Sequence, residues 1–278
     1  MVYLTKEELR QLQMIELELL LEVDRICKKH NIKYNIIGGT LLGAVRHSGF
    51  IPWDDDADVT MLREEYNRFV NILPKELDAE KYYFQDATLT EGYRWSYGKL
   101  RRKNTVFLRE NQEHMPYEQG VFIDIFPVDN IADNVLVRRI DELRYFCIRK
   151  ILWSEVGRIS DKRKFVRIWY CLMSRIPREA VIRKYLKIVS KKNLKKSKYV
   201  RIALMPFPNK YPGYKREWYE ESKEYKFEGF ELMGIKKYKG FLKYEFGNYM
   251  EIPPKEKRKI HPVSKIKLFE NDLYKERC

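Results

Sequence analysis

Apolar residues recur along this chain with two periods, one typical of helices and one typical of strands. The helical period predicts a first helix over residues 5–30, and Thr5 with Glu8 is placed to begin it with a capping box. The same period predicts a helix over residues 63–77. Short strands are predicted between these helical stretches, so the chain is expected to mix the two kinds of element.

The strongest strand pattern is GVFIDIF, residues 120–126. Its alternation puts Phe122, Asp124 and Phe126 on one face, and Pro127 is expected to end the strand. An acid among apolar strand residues is costly unless it is paired or binds a metal ion. Asp124 is therefore a candidate functional residue.

The stretch over residues 34–61 is the most informative part of the chain. It predicts a strand at 34–37, a glycine turn at 38–40, a helix at 41–47 and a second strand with acids near its start. These acids are Asp54, Asp55, Asp56 and Asp58. Adjacent carboxylates repel one another unless a cation compensates, and a glycine turn at a helix start favours phosphate. Together they predict a phosphoryl-transfer site.

The spacing of the acids assigns provisional roles. On a strand, Asp56 and Asp58 share one face and could hold Mg²⁺ or Mn²⁺ together. Asp54 has the same parity and could join them, whereas Asp55 faces away as a surface or supporting acid. The competing interpretation, a solvated acidic turn, fits poorly with the apolar residues on both sides.

The chain divides by composition into three predicted parts. Residues 1–133 form an α+β catalytic core, in which helices flank a mixed sheet. Residues 134–200 form a basic helical lobe of three helices, either inserted or appended, and 201–278 form a loop-rich segment that packs back on the core. In this last segment a hairpin is predicted to turn near Gly234.

Charge is distributed unevenly between the two halves of the chain. Residues 1–139 carry 19 Lys and Arg against 23 Asp and Glu, whereas residues 140–278 carry 36 against 17. The net charges are therefore −4 and +19, and the positive half suits an anionic substrate or an anionic membrane surface. A solvated Lys and Arg surface is the competing interpretation.

The sequence also limits the location and the partners. It has no disulfide framework, no signal peptide and no apolar run near 18 residues, which favours a cytoplasmic protein with peripheral membrane contact at most. A non-catalytic nucleic-acid or polyanion binder would use the positive half. However, the sequence has no RNA-recognition, KH or zinc-finger pattern, so nucleic acid is not an expected partner.

Four separated blocks resemble the LicD family, which belongs to the nucleotidyltransferase superfamily and is related to the fukutin-related group. The blocks are GGTLLGAVRH (38–47), GFIPWDDDAD (49–58), FIDIFPVD (122–129) and YMEIPPKEKRKIH (249–261). The resemblance implies a phosphotransferase that moves phosphocholine, or a similar phospho-substituent such as an alditol phosphate. The implied donor is CDP-linked, the implied acceptor is a cell-surface glycan precursor, in some members lipid-linked, and CMP leaves.

The resemblance also implies site residues. Asp56, Asp58 and Asp124 match the catalytic, metal-binding acids of the superfamily, and Asp124 is either the base for the attacking hydroxyl or a metal ligand. The phosphate or nucleotide candidates are Gly38, Gly39, Thr40, Arg46, His47, Lys99, Arg101, Arg258 and His261. A nucleotidyltransferase that attaches NMP from an NTP remains the alternative reaction.

A choline headgroup would need aromatic ring faces, because a quaternary ammonium donates no hydrogen bonds. The aromatic residues near the motif blocks are Trp53, Trp95, Tyr97 and Tyr117. With 20 Tyr and 5 Trp in the chain, each of these four also fits an ordinary core or surface position. The headgroup is therefore not determined by the sequence.

Overall fold

The computed structural model describes residues 3–205, 212–258 and 261–277 and arranges them as a mixed sheet with helices packed against it. The α-helices are α1 (Lys6–Lys29), α2 (Gly38–His47), α3 (Arg63–Glu76), α4 (Val135–Leu152), α5 (Ser154–Ser160), α6 (Lys164–Met173), α7 (Arg178–Asn193), α8 (Tyr238–Phe246) and α9 (Asp272–Arg277). The strands are β1 (Asn35–Ile36), β2 (Asp58–Leu62), β3 (Tyr82–Gln85), β4 (Gly98–Arg102), β5 (Val106–Arg109), β6 (Phe122–Asn130), β7 (Tyr199–Arg201), β8 (Tyr214–Lys215), β9 (Ser222–Phe227), β10 (Phe230–Ile235) and β11 (Val263–Lys267).

The main sheet confirms the predicted mixed α+β class. Seven of its strands run in the order β3-β4-β6-β2-β1-β10-β9, and β7 with β8 extends the far end of β6. The β2–β6 and β1–β10 pairs are parallel, whereas β4–β6 and β1–β2 are antiparallel. In the β2–β6 pair, Asp58 lies in register with Asp124, so the sheet brings together two acids that are 66 residues apart.

Helix α1 forms one side of the core. Its capping box is present, since the Glu8 amide donates to the Thr5 hydroxyl (3.1 Å) and the Thr5 amide donates to the Glu8 carboxylate (2.8 Å). Its apolar face is fully buried, including Leu12, Ile15 and Leu19. This burial explains why a helix with an almost continuous apolar run is stable here.

The helical lobe is made of four helices, α4 to α7, and not of the three predicted from the sequence. It has its own apolar cluster, in which Tyr145 and Ile148 of α4 pack with Val181 and Tyr185 of α7. The sequence prediction missed the short α5. The one residue between α4 and α5 is Trp153, which is not a helix breaker, so the sequence gives no sign that one helix ends there and another begins. Among residues 3–205, 212–258 and 261–277, no helix is both long enough and apolar enough to cross a membrane.

Two boundaries near the acids differ from the sequence prediction. Helix α2 already begins at Gly38, so the glycines form its first turn and do not precede it. Strand β2 begins only at Asp58, which leaves Asp54, Asp55 and Asp56 in a loop. The alternation of strand side chains therefore does not apply to these three acids.

The predicted strand end at Pro127 and the predicted hairpin turn near Gly234 are also wrong. Strand β6 continues through Pro127, which pairs in register with Met61; the fixed φ of proline suits an extended strand and only one backbone donor is lost. The β9–β10 hairpin turns at Glu228 and Gly229, both with positive φ, and not at Gly234. Gly234 is a strand residue that makes room for a ring, since a Cβ there would lie 2.9 Å from Tyr225.

Candidate active site

A cavity of about 710 Å³ lies between the sheet and the helical lobe. Strands β2, β4, β5 and β6 supply side chains to it, and so do the end of α4, the α4–α5 junction and α8. The lining acids are Asp56, Asp58 and Asp124. The predicted alternation of β6 is confirmed here, because Phe122, Asp124 and Phe126 all line the cavity.

The first turn of α2 holds the acidic loop in place. A Cβ on Gly38 would lie 3.2 Å from Asp58 Oδ2, and a Cβ on Gly39 would lie 2.4 Å from Asp54 Oδ2. The Thr40 hydroxyl accepts the Asp58 amide at 2.8 Å. The two glycines therefore let carboxylates approach a helix N-terminus, whose partial positive charge favours anions. Neither the glycines nor Thr40 lines the cavity itself.

The acids repel one another in a buried setting. Burial raises the pKa of Asp54 to about 8, and the charges of Asp56 and Asp55 add to this rise. Burial also raises the pKa of Asp56, and it raises the pKa of Asp58 well above its usual range, where Asp56 and Asp124 contribute. Glu16 of α1 faces the same group, and burial followed by the neighbouring carboxylates raises its pKa well above the usual value.

The chemistry of this donor set suits a divalent cation, but Asp56, Asp58 and Asp124 do not bring three ligand atoms within 4.8 Å of one another. Carboxylate oxygens are the hard ligands that Mg²⁺ and Mn²⁺ prefer, and Asp56, Asp58 and Asp124 present them to one cavity. A bound cation would relieve the repulsion that raises the pKa values of Asp56 and Asp58. Asp54 is turned toward Gly39 and does not line the cavity.

Asp55 is buried and is not a surface acid, which corrects one of the two roles predicted for it. Its Oδ2 accepts the backbone amide of His261, and its Oδ1 lies 2.9 Å from His261 Nδ1. His261 lines the cavity and also lies 3.5 Å from Asp56. Within the described residues, Asp55, Asp56 and His261 form the one group of three metal-type ligand atoms within 4.8 Å of one another. Asp55 is thus a supporting acid that orients His261.

Lys99 is a buried cation in the wall of the cavity. It forms an ion pair with Asp124, and its ammonium lies 3.4 Å from the centroid of the Phe122 ring. Burial lowers the pKa of Lys99 to about 7, although the charge of Asp124 works in the opposite direction. Lys99 therefore neutralises part of the acidic wall of the cavity.

The other predicted phosphate residues lie in two places. Arg101 reaches the cavity wall but is buried, where it donates to Gln85 Oε1 (2.7 Å) and to the Gly120 carbonyl (2.6 Å). Arg46, His47 and Arg258 do not line the cavity.

The second place is the surface between α2 and the C-terminal segment. Arg46 donates to the carbonyls of Tyr249 (3.1 Å) and Glu251 (3.3 Å) and to His47 (3.0 Å), while Arg258 stacks on the Trp53 ring at 3.9 Å. These contacts connect the C-terminal segment to α2 and to the loop that follows it.

Sequence reasoning missed Arg94, which lines the cavity and pairs with Glu155 at 3.3 Å, and three further cavity cations. Arg109 ends β5, and Arg149 with Lys150 ends α4. Within the described part of the chain, none of the three has a carboxylate within ion-pair distance, so all three are available to an anion. The basic end of α4 was visible in the sequence, but its approach to the sheet depends on packing between distant segments.

Two of the four predicted aromatic residues reach the cavity. Trp95 packs against Trp153 with ring centroids 5.6 Å apart, and Tyr97 packs against Phe126 at 4.7 Å. Trp153 was not predicted. Trp53 lies under Arg258 as described above, and Tyr117 packs on Tyr93 outside the cavity.

The chain is similar in sequence to known proteins. The family model for the LicD/FKTN/FKRP nucleotidyltransferase domain matches residues 31–147, which include Asp54, Asp55, Asp56, Asp58 and Asp124 but not Glu16. Over 268 residues the chain is 29% identical to the lipopolysaccharide cholinephosphotransferase LicD of Haemophilus influenzae, covering 93% of this chain and 97% of that protein. A stretch of 58 residues is 48% identical to an uncharacterised protein of Rickettsia typhi and covers 21% of this chain and 19% of that protein. A similar stretch is 47% identical to one of Rickettsia prowazekii, of which it covers 22%.

Proposed function

We propose that this chain, which is similar to the LicD family, transfers phosphocholine, or a similar phospho-substituent, from a CDP-linked donor to a glycan hydroxyl. The observation that carries the proposal is a single cavity with half-buried acids on the sheet and on the loop before β2, and with cations that lack a carboxylate partner on the adjoining elements. A donor diphosphate needs both, because its negative charge must be held and its leaving phosphate stabilised.

The acids are the proposed site of a divalent ion. Asp56, Asp58 and Asp124 would hold Mg²⁺ or Mn²⁺, and the bound ion would neutralise the diphosphate and the leaving CMP. Gly38 leaves room for one of these ligands, because a Cβ there would lie 3.2 Å from Asp58 Oδ2, and Gly39 leaves room for the neighbouring Asp54.

The cations are proposed to position the diphosphate. Arg109, Arg149 and Lys150 have no carboxylate partner in the described residues, and Lys99 places a further charge beside Asp124. Positioning of this kind supplies much of the catalysis in phosphoryl transfer, since the transition state needs little covalent help from the protein.

The Trp95–Trp153 pair is the proposed headgroup site. Two indole rings at 5.6 Å offer faces to a quaternary ammonium, and Trp is the best side chain for that contact. Tyr97 is less available, because Lys99 lies 5.3 Å from its centroid and Phe126 packs beside it.

Two groups in the cavity could take the proton from the acceptor hydroxyl. Asp124 is one, although it is engaged by Lys99. His261 is the other, and Asp55 fixes its ring by accepting at both the backbone amide and Nδ1. Variants Asp124→Asn and His261→Gln separate them, since the pH profile of the rate shifts only when the base is replaced.

The test is a transfer assay with CDP-choline, CDP-ribitol, CDP-glycerol and CDP-ethanolamine, each with deacylated lipopolysaccharide or wall glycan as acceptor and with Mg²⁺ or EDTA. Asp58→Asn should reduce CMP release by roughly 100-fold or more, whereas the surface variant Glu80→Gln should not change it. Unchanged turnover in folded Asp58→Asn would refute the proposed site. Pyrophosphate release from an NTP would identify a nucleotidyltransferase instead.

A further inference from the structure

The lobe helix α6 exposes an apolar stripe to solvent. Its residues lie at helical spacing, and their side chains are from 42% to 86% exposed. The stripe consists of Phe165, Ile168, Trp169 and Leu172. An amphipathic helix normally buries such a stripe, so a helix that turns it outward marks a docking surface.

The same helix is fixed to the protein by a different side chain. Tyr170 is its one buried residue, and it packs on Gly157 of α5, where a Cβ would lie 2.5 Å from the ring. Because Tyr170 holds α6 down, the exposure of the stripe is a consequence of how the helix docks. The stripe is therefore exposed although α6 itself is packed against the protein.

Cations surround the stripe, and acids are almost absent from it. Residues 161–178 contain six Lys and Arg and one acid, Asp161, which pairs with Arg163 at 3.0 Å. Exposed cations at both ends and within the helix are Lys162, Arg163, Lys164, Arg167 and Arg175. Two copies of this surface would repel each other, which disfavours self-association and favours an anionic partner.

We propose that α6 docks this protein on an anionic phospholipid membrane, with the apolar stripe inserted at the interface and the cations among the headgroups. Large aromatic and aliphatic residues beside Lys and Arg are the pattern of interfacial helices. The alternatives, a partner protein or a second copy, are outcomes of the test below.

The surface adjoins the cavity. Lys150, which lines the cavity, donates to the Tyr170 hydroxyl at 3.3 Å and lies 5.6 Å from the Phe146 ring of α4. Membrane docking through α6 would therefore hold the cavity close to the lipid surface. That closeness would help the protein to reach a lipid-linked acceptor only if the proposed function is correct. Membrane binding through α6 does not depend on the proposed function.

The experiment is co-sedimentation of the full chain with vesicles of phosphatidylcholine alone or mixed with phosphatidylglycerol, without donor or acceptor. We expect binding to the mixed vesicles only, weakening as salt is added. Phe165→Ser and Trp169→Ser should each weaken it at least about tenfold. The matched control is Leu194→Ser at the end of α7. This variant also removes an exposed apolar residue with lysines nearby, and it should bind vesicles like the wild type.

Several results would overturn the proposal. These are absence of binding at low salt, equal binding to both vesicle types, and equal losses in Leu194→Ser and Phe165→Ser. A dimer in sedimentation velocity that Phe165→Ser disperses would assign the stripe to a second copy. Since vesicle binding is measured without turnover, failure of the transfer assay leaves this result unaffected. Circular dichroism melts of each variant establish that the lobe is folded.

Discussion

The buried ion pair between Arg63 and Asp129 should be essential to the stability of the fold. Arg63 begins α3 and donates to both carboxylate oxygens of Asp129, at 2.7 Å each, and to the Tyr185 hydroxyl at 3.0 Å. Asn193 donates to the same carboxylate at 2.7 Å. These contacts connect the sheet to α7, so they fix the lobe that supplies part of the cavity wall.

Arg63→Met removes three of these four hydrogen bonds and leaves the Asp129 carboxylate buried with Asn193 alone. The side chains are 10% and 1% exposed, so water cannot replace the guanidinium. Breaking a buried pair in this way costs about 3–5 kcal/mol of unfolding free energy. In a chain of this size that corresponds to a fall of roughly 6–20 °C in melting temperature.

Urea unfolding of Arg63→Met, Asp129→Asn and the double variant measures this coupling. The double variant should be less destabilised than the sum of the single variants, because the uncompensated charge is gone. The matched control is Arg68→Met on the same helix, whose 2.7 Å pair with Glu65 is 44% exposed at the arginine and should contribute less than about 1 kcal/mol. Similar small losses for both arginine variants would refute the reasoning.

Three further predictions concern the packing, the acids and the headgroup. Gly43→Ala should cost about 1–3 kcal/mol of unfolding free energy, because its Cβ would lie 2.4 Å from the Gly49 carbonyl oxygen. The control Gly240→Ala should be neutral or stabilising, because its Cβ would meet no atom closer than 3.4 Å. Equal effects of the two variants in urea unfolding would contradict this. Burial raises the pKa of Glu16 in the folded state, so the folded state keeps a proton that the unfolded state releases. The free energy of unfolding should therefore fall as pH rises above the usual carboxyl pKa, and Glu16→Gln in EDTA should remove part of that fall; parallel pH profiles would count against it. Trp153→Leu should raise KM for CDP-choline by roughly 3- to 30-fold and leave KM for CDP-glycerol nearly unchanged, and an equal rise for both donors would exclude a headgroup role.

Local patterns were sufficient to predict the start of helix α1 and the strand that carries Asp124. The Thr5–Glu8 capping box and the alternation around Asp124 were both predicted from neighbouring residues and are both present. Such features depend on interactions within one turn or one strand, which the sequence displays directly. The position of Asp124 beside Asp58 also follows, once two parallel strands pair in register.

The errors arise where distant segments decide the geometry. Asp55 was assigned by strand parity, but the strand begins later and His261, 206 residues away, buries and binds it. Trp153 reaches the cavity only after the lobe packs on the sheet, and Arg109 lies on β5, whose strand partner is β11 near the other end of the chain. No local pattern distinguishes such residues from surface or core ones.

The positive charge of the second half has three separate uses, and this explains why net charge alone was ambiguous. Arg178 is buried and donates to the carbonyls of Tyr93 (2.5 Å) and Ala87 (2.8 Å), so it contributes to folding. Arg149 and Lys150 face the cavity, where an anionic substrate would meet them. The cations of α6 surround an apolar stripe on the outer surface. A polyanion binder needs its cations along one accessible track, whereas here buried, cavity and surface cations each lie beside a different chemical partner.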